Sequence, residues 1–490
     1  MIITQRGKSR KTTTNRGFES GGATKLSWIE KLTKRQLKVY QGRQISPNFV
    51  RTNGNQVYSP GLFLKLAPMK PFTCLLLLLS SINLNAQCDV DQRPVVFIHG
   101  FLASGDTWSN AVKFFQQSGY CKNRLFAFDW NSVGGNGKQN EQLLAQFIEQ
   151  VKKETGAIQV DFIGHSAGGG LARSYLKDSV QANNIAHYVH IGSRKWTEPY
   201  TWFPNERCLN IFSTADRVAG TAAGPVEGAK NLALNEEDHY QVATSIKALA
   251  GILNFLAPTK TAATELLTTK KKVEISGKAV LLGDNMPMKN ASVTIYMIKS
   301  KNGNRTRKPA ISLLTTENGA WGPVILQAGM PYEIELLPGD TKKKKISYFF
   351  NSFEQDNSLV YLRGFPEGNR ISSLLGKFPE EEKQSALVLY AATGALIGGR
   401  DSVTVNRFPI CSKELTPASK TIITSFIFDD GDGVSSGKTL KQFTVAPFIG
   451  GVDRVLPAGK DKKHQIYYNG KLLTVPALPS KDRIILAVLN

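Results

Sequence analysis

A serine between glycines, placed where a strand gives way to a helix, is the feature that most constrains this chain. Residues 160–170 read VDFIGHSAGGG. The apolar residues before the serine are typical of a buried strand, and those after it recur at helical spacing. The pentapeptide GHSAG thus matches G-x-S-x-G on a turn that exposes one hydroxyl in a cleft. We identify Ser166 as a candidate nucleophile, and a Gly-Ser loop without function is the alternative that the pentapeptide alone leaves open.

The region around this serine alternates strand-like and helix-like segments. The strand-like runs are PVVFIH, LFAFDW, VDFI, HYVHIG and LNIFS, and the clearest helix is KQNEQLLAQFIEQVKKETG. Such alternation predicts a parallel sheet wrapped by helices. We therefore expect residues 88–257 to form an α/β domain, followed by a Pro-, Thr- and Lys-rich linker at 258–272.

A serine nucleophile needs a general base, and the base needs a carboxylate that holds its tautomer. The chain has six histidines. Five of them belong to the loop and turn beside the serine, to a strand, or to the lysine-rich C-terminal part: His99, His165, His187, His190 and His464. His239 remains, in the loop EEDHY before an apolar helix, and we predict that it is the base.

Four segments carry a family resemblance, namely RPVVFIHGFLASGDTW, VDFIGHSAGGGLAR, FSTADRVAG and EEDHYQVAT. They resemble compact bacterial and archaeal triacylglycerol lipases of the α/β-hydrolase superfamily, particularly those with an added C-terminal β region. The resemblance covers about residues 90–256 and implies serine-dependent ester hydrolysis through an acyl-enzyme. It does not define the acyl length, so lipase and esterase both remain open.

In that superfamily the catalytic residues follow the order nucleophile, acid, base, which requires an acid between positions 166 and 239. Asp216, after the strand LNIFS, fits this order. Asp129, near the end of LFAFDW, is the rival acid; because it precedes the nucleophile it is the second choice, and we interpret it as a structural turn residue. The resemblance also implies an oxyanion hole made by the backbone N–H groups of Phe101 and Ala167. We expect this chemistry to need neither a metal nor a cofactor.

The segment GSRKWTEPYTWFPNERC lies where many α/β-hydrolases insert a helical cap, and it is rich in aromatic residues. These aromatics either line an acyl groove or pack over the edge of the sheet. Together with apolar residues near the oxyanion loop they form the candidate substrate-binding set: Leu102, Trp108, Trp196, Tyr200, Trp202 and Phe203.

Beyond the linker the chain has short alternating runs separated by Gly, Pro, Asn and Asp, which is typical of all-β domains. We expect a small β-sandwich at 273–345 and a second β-rich domain at 346–490. The series GKAV, NASVTIY, TTENGAW and AGMPYEIEL resembles transthyretin-like and carboxypeptidase-regulatory-like domains. This β region either binds an interfacial substrate or packs on the hydrolase domain and shapes the mouth of its site.

One acidic loop of the β region, FDDGDGVSSG, invites comparison with calcium-binding loops. It lacks the glutamate and the spacing of an EF-hand loop. We therefore interpret it as a Gly-Asp hairpin turn.

Residues 69–86 have the composition of a secretory signal peptide, with a Lys, an apolar run too short to span a membrane and an Asn-Ala-Gln end. We expect cleavage after Ala86 and a secreted or cell-envelope protein. Residues 1–68 are basic and poor in apolar side chains, and we interpret them as disordered or as an over-long start of the reading frame. The mature chain keeps Cys88, Cys121, Cys208 and Cys411, whose pairing cannot be derived from spacing.

The formal net charge of +22 at first suggests a nucleic-acid partner. Residues 1–70, however, hold 14 Lys and Arg against 2 Glu, and later basic residues lie in short clusters. This distribution favours solvated turns over a nucleic-acid interface. We expect a lipid or ester partner, no nucleic acid and no transmembrane segment. A polyester depolymerase and a non-catalytic binding protein on the same scaffold are the alternatives, and the oligomeric state stays open.

Overall fold

The structure, a computed structural model, describes residues 88–489 except 135, 199–200, 267–269, 307, 340–343, 369 and 376–377. The expected signal peptide at 69–86, the extension at 1–68 and Tyr200 lie outside the described residues. Within the described part, no helix combines the length and the apolar character needed to cross a bilayer.

Six strands of the N-terminal domain form one sheet in which every neighbouring pair is parallel. Their bounds are β1 (Val95–Ile98), β2 (Leu125–Phe128), β3 (Val160–His165), β4 (Ile185–Ile191), β5 (Cys208–Ser213) and β6 (Lys230–Leu234). The order across the sheet is β2-β1-β3-β4-β5-β6. The five strands that the sequence indicates are all present. The sixth, β6, was missed because it lies at the sheet edge and most of its residues are exposed, which weakens its apolar signal.

Helices flank this sheet, as the alternating sequence predicts. Their bounds are α1 (Ser109–Gln117), α2 (Gly137–Thr155), α3 (Ala167–Tyr175), α4 (Ser179–Ala182), α5 (Gln241–Thr244) and α6 (Ile246–Leu256). The longest, α2, begins after Asn136, whose side chain accepts a hydrogen bond from the Lys138 N–H, and ends at Gly156 with a φ of 70°. Both ends are thus set by standard capping residues.

The sheet is buried on both faces. Along β1, Val95 and Phe97 belong to one hydrophobic core, whereas Val96 and Ile98 belong to the core on the opposite face. Side chains of a strand alternate between faces, so a strand covered on both sides reads as a continuous apolar run. This arrangement confirms the predicted α/β domain, a parallel sheet wrapped by helices.

The C-terminal region consists mostly of strands, as predicted, and its described residues also form one short α-helix, α7 (Arg370–Leu375), and a 3-10 turn at Lys441–Phe443. The strands are β7 (Lys272–Leu281), β8 (Ser292–Met297), β9 (Ile311–Leu314), β10 (Ala320–Gln327), β11 (Tyr332–Leu337), β12 (Lys345–Phe350), β13 (Leu362–Gly364), β14 (Leu387–Ala391), β15 (Val403–Val405), β16 (Phe408–Pro409), β17 (Thr424–Phe428), β18 (Ile449–Asp453), β19 (Lys463–Tyr468), β20 (Lys471–Pro476) and β21 (Arg483–Leu489).

One large sheet joins the two β domains that the sequence suggested. Its eight strands have the order β18-β17-β14-β21-β12-β11-β8-β9. Within it β12 pairs antiparallel with β11 and parallel with β21. The expected boundary between 345 and 346 therefore does not separate two sheets, because both sides of it supply strands to the same one. Two smaller sheets, β10-β7-β13 and β16-β15-β19-β20, complete the region.

The hairpin turn predicted for FDDGDGVSSG is wrong. This loop follows β17, which pairs parallel with β18, the next strand in the chain. A hairpin joins antiparallel strands, so the loop instead starts a longer connection that returns to the same edge of the sheet.

A disulfide joins Cys88 to Cys121. It links the first described residue to the segment before β2. Of the other two cysteines in the described part of the chain, Cys208 is buried and free, and Cys411 is half-buried and free.

Candidate active site

Ser166 occupies the sharp turn between β3 and α3. Its φ of 52° and ψ of −121° form a conformation that a residue with a Cβ rarely adopts, and such strain is typical of functional sites. A Cβ on Gly168 would come within 2.4 Å of the His99 carbonyl oxygen, and one on Gly164 within 2.9 Å of the Gly168 oxygen. The G-x-S-x-G pattern is therefore a steric requirement of this turn, which leaves Ser166 partly exposed.

Three predicted side chains meet at the carboxyl edge of the sheet. The His239 Nε2 lies 2.9 Å from the Ser166 Oγ, and the His239 Nδ1 lies 2.8 Å from the Asp216 Oδ2. Asp216 follows β5, and His239 follows β6. Because parallel strands end at the same edge of a sheet, residues distant in sequence converge there.

The environment of Asp216 keeps its carboxylate charged. Burial raises its pKa, but the hydrogen bond and charge of His239 and the backbone N–H groups of Ala219 and Val218 outweigh it, so the net pKa is lowered. Both N–H groups donate to the Asp216 Oδ1 at 2.9 Å. The carboxylate therefore accepts a hydrogen bond from the His239 Nδ1–H. The Nε2 is then free to accept the hydrogen of the Ser166 hydroxyl.

The loop after β1 lies directly against Ser166, since a Cβ on Gly100 would come within 3.1 Å of the Ser166 Cβ. Phe101 follows in this loop. Ala167 is the first residue of α3, where backbone N–H groups have no partner inside the helix. The two predicted donors thus lie on the two segments that flank the serine.

The buried ring of His99 shapes this loop. Its Nδ1 lies 2.8 Å from the Gly100 oxygen, and its Nε2 lies 3.2 Å from the Trp130 backbone nitrogen. Burial lowers the pKa of His99, so the ring is neutral. The neutral ring therefore donates from Nδ1 to the Gly100 oxygen and accepts at Nε2 from the Trp130 N–H. Because both ring nitrogens are engaged by the backbone, His99 holds the loop and does not act as the base.

A second buried histidine supports the candidate base. The His165 Nε2 lies 2.7 Å from the backbone oxygen of His239. Burial, with the neighbouring His239, lowers the pKa of His165 to about 3, so its neutral ring donates this hydrogen bond. The residue between the glycine and the serine of the motif thus holds the backbone of His239.

Asp129, the rival acid, has another role. Its Oδ1 accepts a hydrogen bond from the Gly105 N–H at 2.9 Å. Its Oδ2 accepts from the Lys278 Nζ at 2.6 Å and from the Tyr361 hydroxyl at 2.7 Å, and both partners belong to the β region. Asp129 is therefore an anchor between the domains as well as a turn residue.

The candidate substrate-binding set needs correction. Trp108 and Phe203 are fully buried, Trp196 is 4% exposed, and all three belong to the hydrophobic cores beside the sheet. A fully buried core side chain cannot line an open groove, so the packing alternative describes them. Leu102 is also buried, in the core of the β region. Trp202 is 56% exposed, and Tyr200 lies outside the described residues.

The β region contributes residues around the site that the sequence did not indicate. The ring of Phe448 lies 5.8 Å from the imidazole of His239 and 6.2 Å from the ring of Phe101. The side-chain nitrogen of Asn285 lies 3.2 Å from the His99 Nε2 and 2.9 Å from the Ala103 oxygen. No local pattern marks either residue, because each acts through contacts with chain segments far away in sequence.

Three segments match known domain families. Residues 92–190 match the family described as Lipase (class 2), residues 271–365 match the Lipase C-terminal domain, and residues 380–489 match a further C-terminal domain family. The first match contains the Ser166 turn, and the second contains Asn285 and Lys278.

Two curated relatives share a shorter stretch. The non-heme chloroperoxidase of Burkholderia pyrrocinia is 31% identical over 111 residues, which cover 21% of this chain and 38% of that protein. The non-heme haloperoxidase of Rhodococcus erythropolis is 32% identical over 106 residues, which cover 21% and 37%. The match thus spans less than two fifths of either relative.

Solved structures with a similar arrangement include lipase B of Aspergillus fumigatus, 13% identical, with 37% of this chain and 59% of that chain covered at a TM-score of 0.28. An esterase from Exiguobacterium antarcticum is 15% identical, with 34% and 91% covered at a TM-score of 0.27.

Proposed function

We propose that this protein, segments of which match lipase domain families, is a secreted serine hydrolase of carboxylic esters, with triacylglycerol or simpler esters as substrates. The observation that carries the proposal is the hydrogen-bonded chain from Ser166 through His239 to Asp216. The lipase domain matches support the substrate class. The apolar segment at 69–86 supports export.

In the first half of the reaction, the His239 Nε2 accepts the Ser166 proton while the Ser166 Oγ attacks the ester carbonyl carbon. Asp216 stabilises the imidazolium that forms. The N–H groups of Phe101 and Ala167 stabilise the negative charge on the carbonyl oxygen, and each such donor contributes about 3 kcal/mol in related systems. The imidazolium then protonates the leaving alcohol, which gives the acyl-enzyme.

In the second half, water takes the place of the alcohol. The His239 Nε2 accepts a proton from the water, and the hydroxide oxygen attacks the acyl carbonyl. Collapse of the intermediate releases the carboxylic acid and returns the proton to the Ser166 Oγ. Every proton moves through the imidazole of His239. Asp216 holds the ring through its Nδ1, and the His165 ring holds the His239 backbone oxygen.

The test is hydrolysis of a graded series of esters by the full chain, from acetate to palmitate, then emulsified triacylglycerol and polyester film. Ser166→Ala is the blank, and Ser312→Ala, an exposed serine of β9, is the matched control. We expect ester turnover that Ser166→Ala abolishes and Ser312→Ala retains. Activity that rises with acyl length and on emulsions identifies a lipase. Activity confined to short soluble esters identifies an esterase.

If none of these esters is hydrolysed in a Ser166-dependent way, the proposal is contradicted and a non-catalytic binding protein is favoured. Because two curated relatives are named as haloperoxidases, halide oxidation with hydrogen peroxide is assayed in parallel. Sequencing of the N-terminus of the exported protein checks the expected cleavage after Ala86.

A further inference from the structure

Two buried carboxylates lie together at the end of a parallel strand pair in the β region. Asp453 is the last residue of β18, and it is in register with Phe428, the last residue of β17. Asp429 follows Phe428 directly. Asp429 is 8% exposed and Asp453 is 4% exposed. Asp430 is exposed, and the three residues offer carboxylate oxygens within 4.8 Å of one another.

Asp429 is only half satisfied by its surroundings. Its Oδ2 accepts hydrogen bonds from the backbone N–H groups of Gly431 at 3.2 Å and Gly433 at 3.1 Å. Its Oδ1 is buried and has no hydrogen-bond partner among the described residues. A buried carboxylate oxygen without a hydrogen-bond partner is strongly unfavourable, and a bound cation would satisfy it.

Among the described residues, no cationic side chain forms an ion pair with these carboxylates. No ion pair within 4.0 Å joins Asp429, Asp430 or Asp453 to a described Lys, Arg or His side chain. In the described part of the chain, the donors to the Asp453 oxygens are the backbone N–H groups of Asp430 at 3.2 Å and Ser436 at 3.0 Å. Buried charges in proteins are normally paired or bound to a metal.

The charge also faces an accessible depression. Asp429 and Asp430 line an open cavity of about 630 Å³ together with Glu380, Glu381 and Asp432. None of the described residues that line this cavity is basic. A cleft lined by one sign of charge attracts ions of the opposite sign, so a cation can enter from solvent.

We propose that Asp429, Asp430 and Asp453 bind a divalent cation of the Ca²⁺ type. The donors are carboxylate oxygens, which hard cations prefer, and histidine or thiolate ligands are not part of the group. Two oxygens on opposite sides of one Ca²⁺ lie about 4.6–5.2 Å apart, whereas on Mg²⁺ they lie about 4.0–4.2 Å apart. The three carboxylate oxygens lie within 4.8 Å of one another, which allows them to share one Ca²⁺, and water from the open depression completes the coordination shell.

The proposed ion would tie the loop after β17 to the end of β18. It lies outside the Ser166 site, so we expect it to act on stability rather than on ester chemistry. The test of this ion site is therefore independent of the test of the proposed function.

The experiment uses the full chain, first freed of metals with EDTA and then dialysed. Isothermal titration with CaCl₂ measures binding, and thermal unfolding is followed in EDTA, in Ca²⁺ and in Mg²⁺. We expect about one Ca²⁺ per chain and an unfolding temperature that rises with Ca²⁺ concentration and then saturates.

Asp429→Asn is the decisive variant, because the amide oxygen can still accept the Gly431 and Gly433 hydrogen bonds while the charge is lost. We expect it to bind no Ca²⁺. In EDTA its unfolding temperature should equal or exceed that of the parent, since an unpaired buried charge is removed, and in Ca²⁺ the order should reverse. A purely structural aspartate would lower the unfolding temperature under both conditions, which would overturn the proposal.

Asp453→Asn tests the second buried ligand, and Asp482→Asn, an exposed residue of the same region, is the matched control. We expect the first to lose the response to Ca²⁺ and the second to keep it. No titration heat and no Ca²⁺-dependent stabilisation in the parent would overturn the site. So would an undiminished response in both Asp429→Asn and Asp453→Asn. A response to Mg²⁺ alone would overturn the choice of ion.

Discussion

The ring of Phe448 stacks on the imidazole of His239, with centroids 5.8 Å apart and planes inclined by 27°. Phe448 lies immediately before β18 in the β region, whereas His239 belongs to the hydrolase domain. Phe448 is itself buried and also contacts Phe101, which carries one of the two proposed oxyanion donors. The C-terminal region therefore forms part of the wall of the candidate active site.

This contact predicts that Phe448→Ala weakens catalysis without removing it. An aromatic pair contributes about 0.5–1.5 kcal/mol beyond burial, so we expect kcat/KM on a soluble ester to fall about 2- to 10-fold as His239 loses its support. Phe408→Ala, an aromatic of the β region that packs under Arg454, is the control. Steady-state kinetics of both variants check the effect. An unchanged kcat/KM for Phe448→Ala would mean that the stacking is incidental.

Two glycines on the same helix give opposite predictions. A Cβ on Gly168 would meet the His99 and Ile98 carbonyl oxygens at 2.4 and 2.5 Å, whereas one on Gly170 would have no heavy atom within 4 Å. We expect Gly168→Ala to displace α3 from β1 and abolish activity or soluble expression. Gly170→Ala should stabilise the fold by up to about 1 kcal/mol, because alanine favours the helix. Urea unfolding and ester hydrolysis measure both, and equal behaviour of the two variants would refute the steric argument.

Much of the candidate site can be predicted from local sequence. Ser166, Asp216 and His239 each follow a strand of one parallel sheet, and such a sheet brings the residues after its strands to one edge. For Ser166 and Asp216 the preceding strands were predicted, so their convergence follows from the strand pattern; His239 follows β6, which the pattern missed, and it was identified by elimination among the six histidines. The buried strands of the sheet could also be predicted, because each is a short apolar run. The edge strand β6 could not, because most of its residues are exposed and polar residues interrupt the run.

Contacts that depend on long-range packing could not be predicted. Trp108 and Phe203 are apolar residues near the expected cleft, yet hydrophobicity does not distinguish the lining of a groove from a core position, and both are core residues. Phe448 and Asn285 reach the site because the β region packs there. The sequence around these two residues does not predict that they reach the site, because this packing depends on the combined surface of many strands.

A buried ion pair holds this interface, and its loss should be costly. The Arg363 guanidinium donates to both Asp106 oxygens, at 2.7 and 2.5 Å, and each residue is at most 3% exposed. We expect Arg363→Met to destabilise the protein by about 3–5 kcal/mol, because it leaves a buried carboxylate without its partner. Urea unfolding is the measurement. Adding Asp106→Asn should restore part of the loss, since the stranded charge is removed.

The exposed pair Lys122–Glu274 crosses the same interface and is the control. Lys122→Met should cost no more than about 1 kcal/mol, because solvent screens an exposed pair. If Arg363→Met lowers the free energy of unfolding by as little as Lys122→Met does, the buried pair does not hold the domains together. In that case residues 88–257 should remain soluble when expressed alone, whereas we expect them to aggregate.

Buried histidines should make the fold sensitive to acid. His464 is 1% exposed, with its Nε2 2.9 Å from the Ser385 hydroxyl oxygen and its Nδ1 3.0 Å from the Asn406 side-chain nitrogen. Burial lowers the pKa of His464 to about 4, against about 6.5 for an unfolded histidine. Between these values the unfolded chain binds a proton that the folded chain does not. Stability should therefore fall as the pH decreases from about 6.5 to about 4.

His464→Gln tests this dependence, because glutamine supplies a donor and an acceptor but does not titrate. We expect the variant to be less stable than the parent at pH 8, where the parent loses nothing to protonation, and to lose less stability between pH 6.5 and pH 4. His165 and His190, with pKa values lowered by burial to about 3 and about 4, keep some slope in the variant. Urea midpoints measured across this range compare the two slopes. Parallel curves for parent and variant would show that His464 does not contribute to the acid sensitivity.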